Sequence, residues 1–280
     1  MENGISAAKK TLNARGRLLS LERPLVMGIL NVTPDSFFDE SRVNSSTAVY
    51  HKAGQMLKEG ADLLDVGGCS TRPGADEISV NEELDRVIPA IEMLARQWPE
   101  LVISVDTWRA KVAREAVNSG ASMVNDISGG TLDPDMFATV AELQVPYVLM
   151  HTRGTPKTMK SLAQYNDIVL ELADYFQQKI YELQRLGCKD IIVDPGFGFA
   201  KTIAHNYHLL HNLAAFKVLG CPLLAGISRK SMIYKKLGVD AGAALNGTTA
   251  LNTVALMNGA SVLRVHDAGP AREIVKLLFE

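Results

Sequence analysis

Cysteine is scarce in this chain. Its three copies, Cys69, Cys188 and Cys221, lie far apart, fit no zinc-ligand spacing and cannot all pair with one another, which argues against a disulfide framework or a cysteine-built metal centre. They are read as reduced thiols, the state expected in the cytoplasm. No apolar run is long enough to cross a bilayer, and no apolar core follows the basic residues Lys9, Lys10, Arg15 and Arg17. Neither a membrane span nor a targeting leader is therefore expected. A net charge of -2 supplies no general attraction for nucleic acid or anionic lipid, so a small-molecule substrate fits better than either partner. The usual nucleotide-binding signatures, GxGxxG after the first strand and GxxxxGK[ST], are missing as well.

The 280 residues are 47% hydrophobic and 21% charged, enough to bury a substantial core. Short apolar runs predict eight strands, at 25–33, 62–67, 101–107, 123–128, 146–151, 190–195, 222–228 and 261–267. Between them the apolar residues recur at helical spacing, as in Leu84, Val87, Ile88, Ile91 and Ala95, or Ile168, Leu172, Tyr175, Phe176 and Ile180. Strands that are apolar on both faces need cover on both, and alternating helices provide it. The pattern predicts an α/β fold, a (β/α)8 TIM barrel, with a doubly wound open sheet as the alternative. Leu12 to Leu21, broken at Gly16, predicts a short N-terminal hairpin. No linker or composition break appears, so residues 1–280 are expected to form one domain.

In a barrel the strand C-termini converge on one face, and here they are polar throughout: Asn31, Asp65, Asp106, Asn125 with Asp126, His151, Asp194, Ser228 to Lys230, and Arg264 with His266 and Asp267. Any one of these alone reads rather as a helix cap or loop bond, and it is their presence at all eight strand ends that points to a site. Asp194, followed by PGFGF, offers a carboxylate to the paired N–H groups of a flat nitrogen heterocycle, with aromatic rings beside it. A plain glycine-rich turn with core phenylalanines fits the same residues. The cations after the seventh and eighth strands, Arg229, Lys230, Arg264 and His266, predict a phosphate site, which barrels often build there. The oxygens of Asn31 to Asp35 suit a hard cation such as Mg2+ shared with phosphate, although taken alone the segment reads rather as loop capping. The segment 67–74 reads either as a substrate-covering turn or as a surface loop.

The ordered motifs MGILNVTPDSF, DVGGCSTRPGA, SVDT, VNDISGG, LMHTRGTPKTM, DPGFGFAKT, GISRKSMI and RVHDA resemble the dihydropteroate synthase family over nearly the whole chain. The resemblance implies condensation of dihydropterin pyrophosphate with p-aminobenzoate, releasing pyrophosphate with Mg2+ by an SN1-like displacement. By similarity Asp106, Asn125, Asp194 and Lys230 hold the pterin, and Asn31 binds the metal. Thr71, Arg264 and His266 meet the pyrophosphate, while Arg72, Pro73, Phe199 and Ser231 shape the p-aminobenzoate side. Lys230, Arg264 and His266 are the implied catalytic groups, and a homodimer is implied as the assembly. Rival readings are a pterin-binding methyltransferase and a non-catalytic paralogue. Three positions depart from the family pattern: Cys69 where glutamate is frequent, Trp108 where a smaller or polar residue follows VDT, and Ala200 where glycine often follows GFGF.

Overall fold

A computed structural model describes residues 9–33, 42–70 and 77–280. Strands β1 (Thr11–Ala14) and β2 (Arg17–Ser20) pair antiparallel through Arg15 and Gly16, both with positive φ, as a two-residue hairpin turn requires. This is the hairpin expected from the sequence.

Eight parallel strands follow, each shorter than its apolar run: β3 (Leu25–Asn31), β4 (Leu63–Gly67), β5 (Val102–Asp106), β6 (Met123–Asp126), β7 (Tyr147–Met150), β8 (Ile191–Asp194), β9 (Leu224–Ala225) and β10 (Val262–Val265). Helices alternate with them: α1 (Arg42–Lys58), α2 (Val80–Gln97), α3 (Ala110–Asn118), α4 (Met136–Leu143), α5 (Ile168–Arg185), α6 (Ile203–His211), α7 (Ser231–Leu237), α8 (Leu245–Met257) and α9 (Ala268–Phe279). None of the described helices is long and apolar enough to cross a membrane.

The strand order is β8-β7-β6-β5-β4-β3-β10-β9. A single parallel bridge between Val193 and Leu223, with the Val193 N–H donating to Pro222 at 2.9 Å, joins the two ends and closes the (β/α)8 barrel. The seventh barrel strand departs most from expectation. Of the predicted 222–228, only Leu224 and Ala225 form a strand, because the chain already turns at Ile227, whose carbonyl accepts from the Lys230 N–H at 3.1 Å.

Two apolar layers hold the barrel. Outward-facing residues such as Val26, Leu64, Ile103 and Val124 pack under the helices, whose faces repeat at helical spacing, as Ile168, Leu172, Phe176 and Ile180 do in α5. Inward-facing Met27, Leu63, Val102, Met123, Val148, Ile192, Leu224 and Val262 form a separate cluster with Leu12 and Ala14, so the hairpin plugs the lower end. Asp190 secures that plug, pairing with Lys9 at 2.5 Å and accepting from the Asn13 N–H at 3.2 Å.

At the opposite end, the turn after β8 alternates through left-handed residues Gly196 (φ 71°), Gly198 (φ 83°) and Ala200 (φ 47°). A Cβ at Gly196 would strike the His151 carbonyl, so glycine is required there. Ala200 carries a side chain in a conformation that favours glycine, one of the three departures noted in the sequence. Ala200→Gly is expected to raise stability, by no more than about 1 kcal/mol because glycine also gains freedom in the unfolded chain. Denaturant melts showing a lower midpoint for the variant would contradict this.

Candidate active site

The side chains that point into the barrel alternate along each strand, so the residue two positions above each floor residue enters the same interior. The floor is apolar and the next layer is not. Leu63 is followed by Asp65, Met123 by Asn125, Ile192 by Asp194, and Val262 by Arg264, while Val102 leads through Ser104 to Asp106. The polarity reversal gathers polar and titratable side chains at the strand C-termini.

Arg264 organises one half of this layer. Its Nε donates to Asp65 Oδ2 and its Nη2 to Asp106 Oδ2, both at 2.6 Å. Asn125 donates from Nδ2 to the same Asp65 oxygen at 2.8 Å. The second oxygens of both acids, Asp65 Oδ1 and Asp106 Oδ1, are buried without a hydrogen-bond partner. Burial pushes Asp106 up to about 7; Arg264 opposes the rise and Asp65 adds to it. The two carboxylates in turn push the Arg264 guanidinium further up, against the cost of its burial.

Asp194 and Lys230 form the other half. The Gly196 N–H donates to Asp194 Oδ1 at 2.7 Å. Lys230 donates from Nζ to the Phe197 carbonyl and lies 4.6 Å from the centre of the Phe199 ring. Burial pushes Lys230 down to about 8, with Asp194 pulling it back up; burial also raises Asp194, which Lys230 counters. At the edge, Ser228 Oγ and His266 Nδ1 share a hydrogen bond at 3.0 Å, and the His266 N–H donates to the same hydroxyl at 3.2 Å. Ser231 opens α7 beside Lys230, and Asn31 ends β3 beside Gly67.

Asn31, Asp106, Asn125, Asp194, Phe199, Lys230, Ser231, Arg264 and His266 thus all sit at the strand-end face. Thr71, Arg72, Pro73 and Asp35 lie outside the described residues. Arg229, grouped in the sequence with the phosphate-facing cations, is engaged elsewhere: its guanidinium forks onto Asp267 at 2.8 and 2.7 Å, and its N–H donates to Thr248 at 3.1 Å. Its positive φ of 54° turns it away from the course of Lys230.

Sequence reasoning assigned no role to Asp65 or Lys201. Asp65 had a signal, a carboxylate inside the apolar run LLDVG, which is unaffordable in a barrel strand without a counter-charge. Lys201 had none, since its position becomes informative only once the β8 turn lies against β7. Cys69 is buried, and desolvation with the nearby Glu83 raises its thiol, so it is not an activated nucleophile. It packs with Trp108, Ile127 and Met150 in an apolar cluster against which Phe199 also rests.

The pH behaviour of Asp106 follows from its burial. The folded chain retains a proton there that the unfolded chain has already lost, so stability falls as pH rises from about 4 to about 7. Asp106→Asn cannot ionise and is expected to lack that component. Thermal melts should show wild-type stability declining relative to the variant across this window; parallel profiles would count against it.

Comparison with known proteins agrees with this geometry. The sequence profile described as "Pterin binding enzyme" matches residues 27–266. A dihydropteroate synthase from a Synechocystis species is 46% identical over 91% of this chain and 89% of its own. The Yersinia pestis dihydropteroate synthase, solved with a sulfonamide drug, superposes with a TM-score of 0.90 at 42% identity, covering 95% of this chain and 97% of its own. The Xanthomonas albilineans enzyme, solved with 4-aminobenzoic acid, gives 0.89 at 41% identity over 96% of each chain. By its sequence, its barrel and the breadth of these matches, the chain belongs to the dihydropteroate synthase family of pterin-binding enzymes.

Proposed function

We propose that this chain is a dihydropteroate synthase, joining dihydropterin pyrophosphate to p-aminobenzoate in folate biosynthesis, with residues 1–280 acting as one domain. The observation that carries the reading is the buried cluster of Asp65, Asp106, Asn125 and Arg264 facing Asp194 and Lys230 in a barrel of this family. Orphaned carboxylate oxygens in that layer suit a ring whose edge is rich in N–H donors. We assign Asp194, Asp106, Asn125 and Lys230 to the pterin, with Asp194 accepting from its amino group and ring nitrogen.

The methylene C–O bond breaks with its electron pair leaving on pyrophosphate, and the positive charge left on carbon is shared with the electron-rich pterin. Arg264, His266 and Thr71 meet the departing oxygens, Arg264 through Nη1, the nitrogen not used on Asp65 or Asp106. Fixed cations stabilise that separating charge more than they stabilise the neutral bond. The aromatic amine then bonds to carbon and releases a proton, with no protein nucleophile needed. Arg72, Pro73, Phe199 and Ser231 are assigned to p-aminobenzoate; the Xanthomonas albilineans relative holds that compound.

Asn31 fits a role toward Mg2+ only as one neutral oxygen: the described residues contain no cluster of three acidic, histidine or cysteine ligands. Its Oδ1 stands close to Gly67, where a Cβ would lie 3.4 Å from it and 3.5 Å from Asp106 Oδ2. Mg2+ retained mainly by water and pyrophosphate oxygens, with Asn31 as the protein donor, would neutralise charge on the leaving group. The free thiols Cys69, Cys188 and Cys221 accord with a cytoplasmic location.

Purified enzyme supplied with both substrates and Mg2+ should release pyrophosphate and dihydropteroate in equal amounts, and failure to form dihydropteroate under these conditions would overturn the reading. Arg264→Lys is the informative variant, since alanine would strip two buried acids of their counter-charge. It keeps the charge but loses the fork, and turnover is expected to fall at least about tenfold while free pterin binding changes much less. Equal losses would contradict its assignment. We also propose a homodimer through the late helices, where Met257 is 72% and Leu277 85% exposed. A sedimentation mass of one chain would overturn it.

A further inference from the structure

Lys201 carries an amino group that the reaction does not use, and burial pushes it well below its usual range. Its Nζ is enclosed at the strand-end face, donating to the Phe199 carbonyl at 2.9 Å and the His151 carbonyl at 3.2 Å, and lying 3.1 Å from His151 Nδ1. Two of its N–H groups are taken by those two backbone carbonyls, and the imidazole nitrogen is its third partner. Burial, with Lys201 and Arg153 nearby, pushes His151 well below its usual range, in keeping with a neutral imidazole. Nothing is left for a substrate. The head group is spent on the backbone.

That backbone is the turn that presents Phe199. Left-handed residues at 196, 198 and 200 reverse the carbonyl direction repeatedly, leaving oxygens that no strand or helix can satisfy. Each found a separate donor: Lys230 for Phe197, Lys201 for Phe199 and the Tyr165 hydroxyl, at 3.0 Å, for Ala200. The Gly198 N–H is held by Asn206 Oδ1 at 2.7 Å. Of these ties, Lys201 is the one that links the Phe199 peptide to the end of β7, through both the backbone and the ring of His151. Tyr175 wedges that ring from the side, at 4.9 Å between centres, so the anchor is itself fixed.

We propose that Lys201 is a positioning residue that sets the p-aminobenzoate side of the site by tethering the Phe199 peptide to His151. The inference rests on the assignment of Phe199 to p-aminobenzoate. Without the tether, the Phe199–Ala200 peptide, which leads into the left-handed Ala200, can rotate and the Phe199 ring loses its set angle, whereas Asp106, Asn125 and Arg264, on other strands, keep their geometry.

Lys201→Met retains the stem and removes the donors. In the pyrophosphate-release assay it is expected to raise KM for p-aminobenzoate about tenfold, with kcat and KM for the pterin substrate within about threefold of wild type. Lys201→Arg keeps donors on a displaced head and should recover part of that loss. An unchanged KM for p-aminobenzoate, or equal rises for both substrates, overturns the proposal. A second readout needs no turnover: 4-fluorophenylalanine at position 199, followed by fluorine NMR in wild type and both variants. A shifted or broadened line in Lys201→Met supports the tether, and an unmoved line overturns it. Wild-type protein that releases no pyrophosphate would refute the proposed function, while the fluorine spectra would still decide the tether. Should Lys201→Met fail to fold, Lys201→Gln, whose shorter amide cannot hold both carbonyls, carries both measurements, with an unmoved line and unchanged KM overturning the proposal.

Discussion

A guanidinium inside a barrel is tolerable only if its counter-charge is built from the same enclosure, and Arg264 meets this condition with two carboxylates on two strands. β10 supplies the cation and β4 and β5 supply Asp65 and Asp106, so the ion cluster spans the top of three strands. Removing one partner would leave a buried charge unpaired, which costs far more than the pair gains. Asp65 also accepts from Asn125 on β6, extending the same constraint to a fourth strand. The polar layer behaves as one unit whose members fix one another's orientation.

The rest of the molecule makes that layer possible. Below it, the inward residues are apolar and the hairpin seals them with Leu12 and Ala14, so water is kept from the floor while the mouth stays polar. Barrels commonly divide stability and chemistry between their two ends in this way. On the far side of the mouth, Asp194 and Lys230 repeat the principle of opposed charges without direct contact: burial disfavours both charges, and each counters that shift in the other. The turn after β8 needs more support, because its alternating backbone leaves carbonyls that only side chains can reach. Two lysines answer that need, one of them within the proposed pterin site.

Particular residues show where sequence reasoning succeeded and where it stopped. The strands were legible because an apolar run covered on both faces leaves a local trace, and the polar strand ends do gather at one face of the barrel. Strand lengths were overestimated, most at β9, where a tight turn at Ile227 ends pairing that the composition of 222–228 would allow. Arg229 and Lys230 are adjacent and alike in charge, yet one locks onto Asp267 and the other onto the β8 turn. Composition cannot separate them; the sign of one φ angle does. Ala200 was visible as a departure, but its left-handed backbone was not.

The sequence by itself determined the order of strands and helices, the hairpin, the polar face and the family, since each depends on spacing along the chain or on the identity of short motifs. Only the tertiary structure decided which charges meet. Arg264 reaches Asp65 across 199 residues and Asp106 across 158, and Lys201 reaches His151 across 50. Such pairings exist because the barrel closes and the β8 turn folds against β7. Hydrophobic periodicity records which way a residue faces, but the partner it finds there depends on three-dimensional closure.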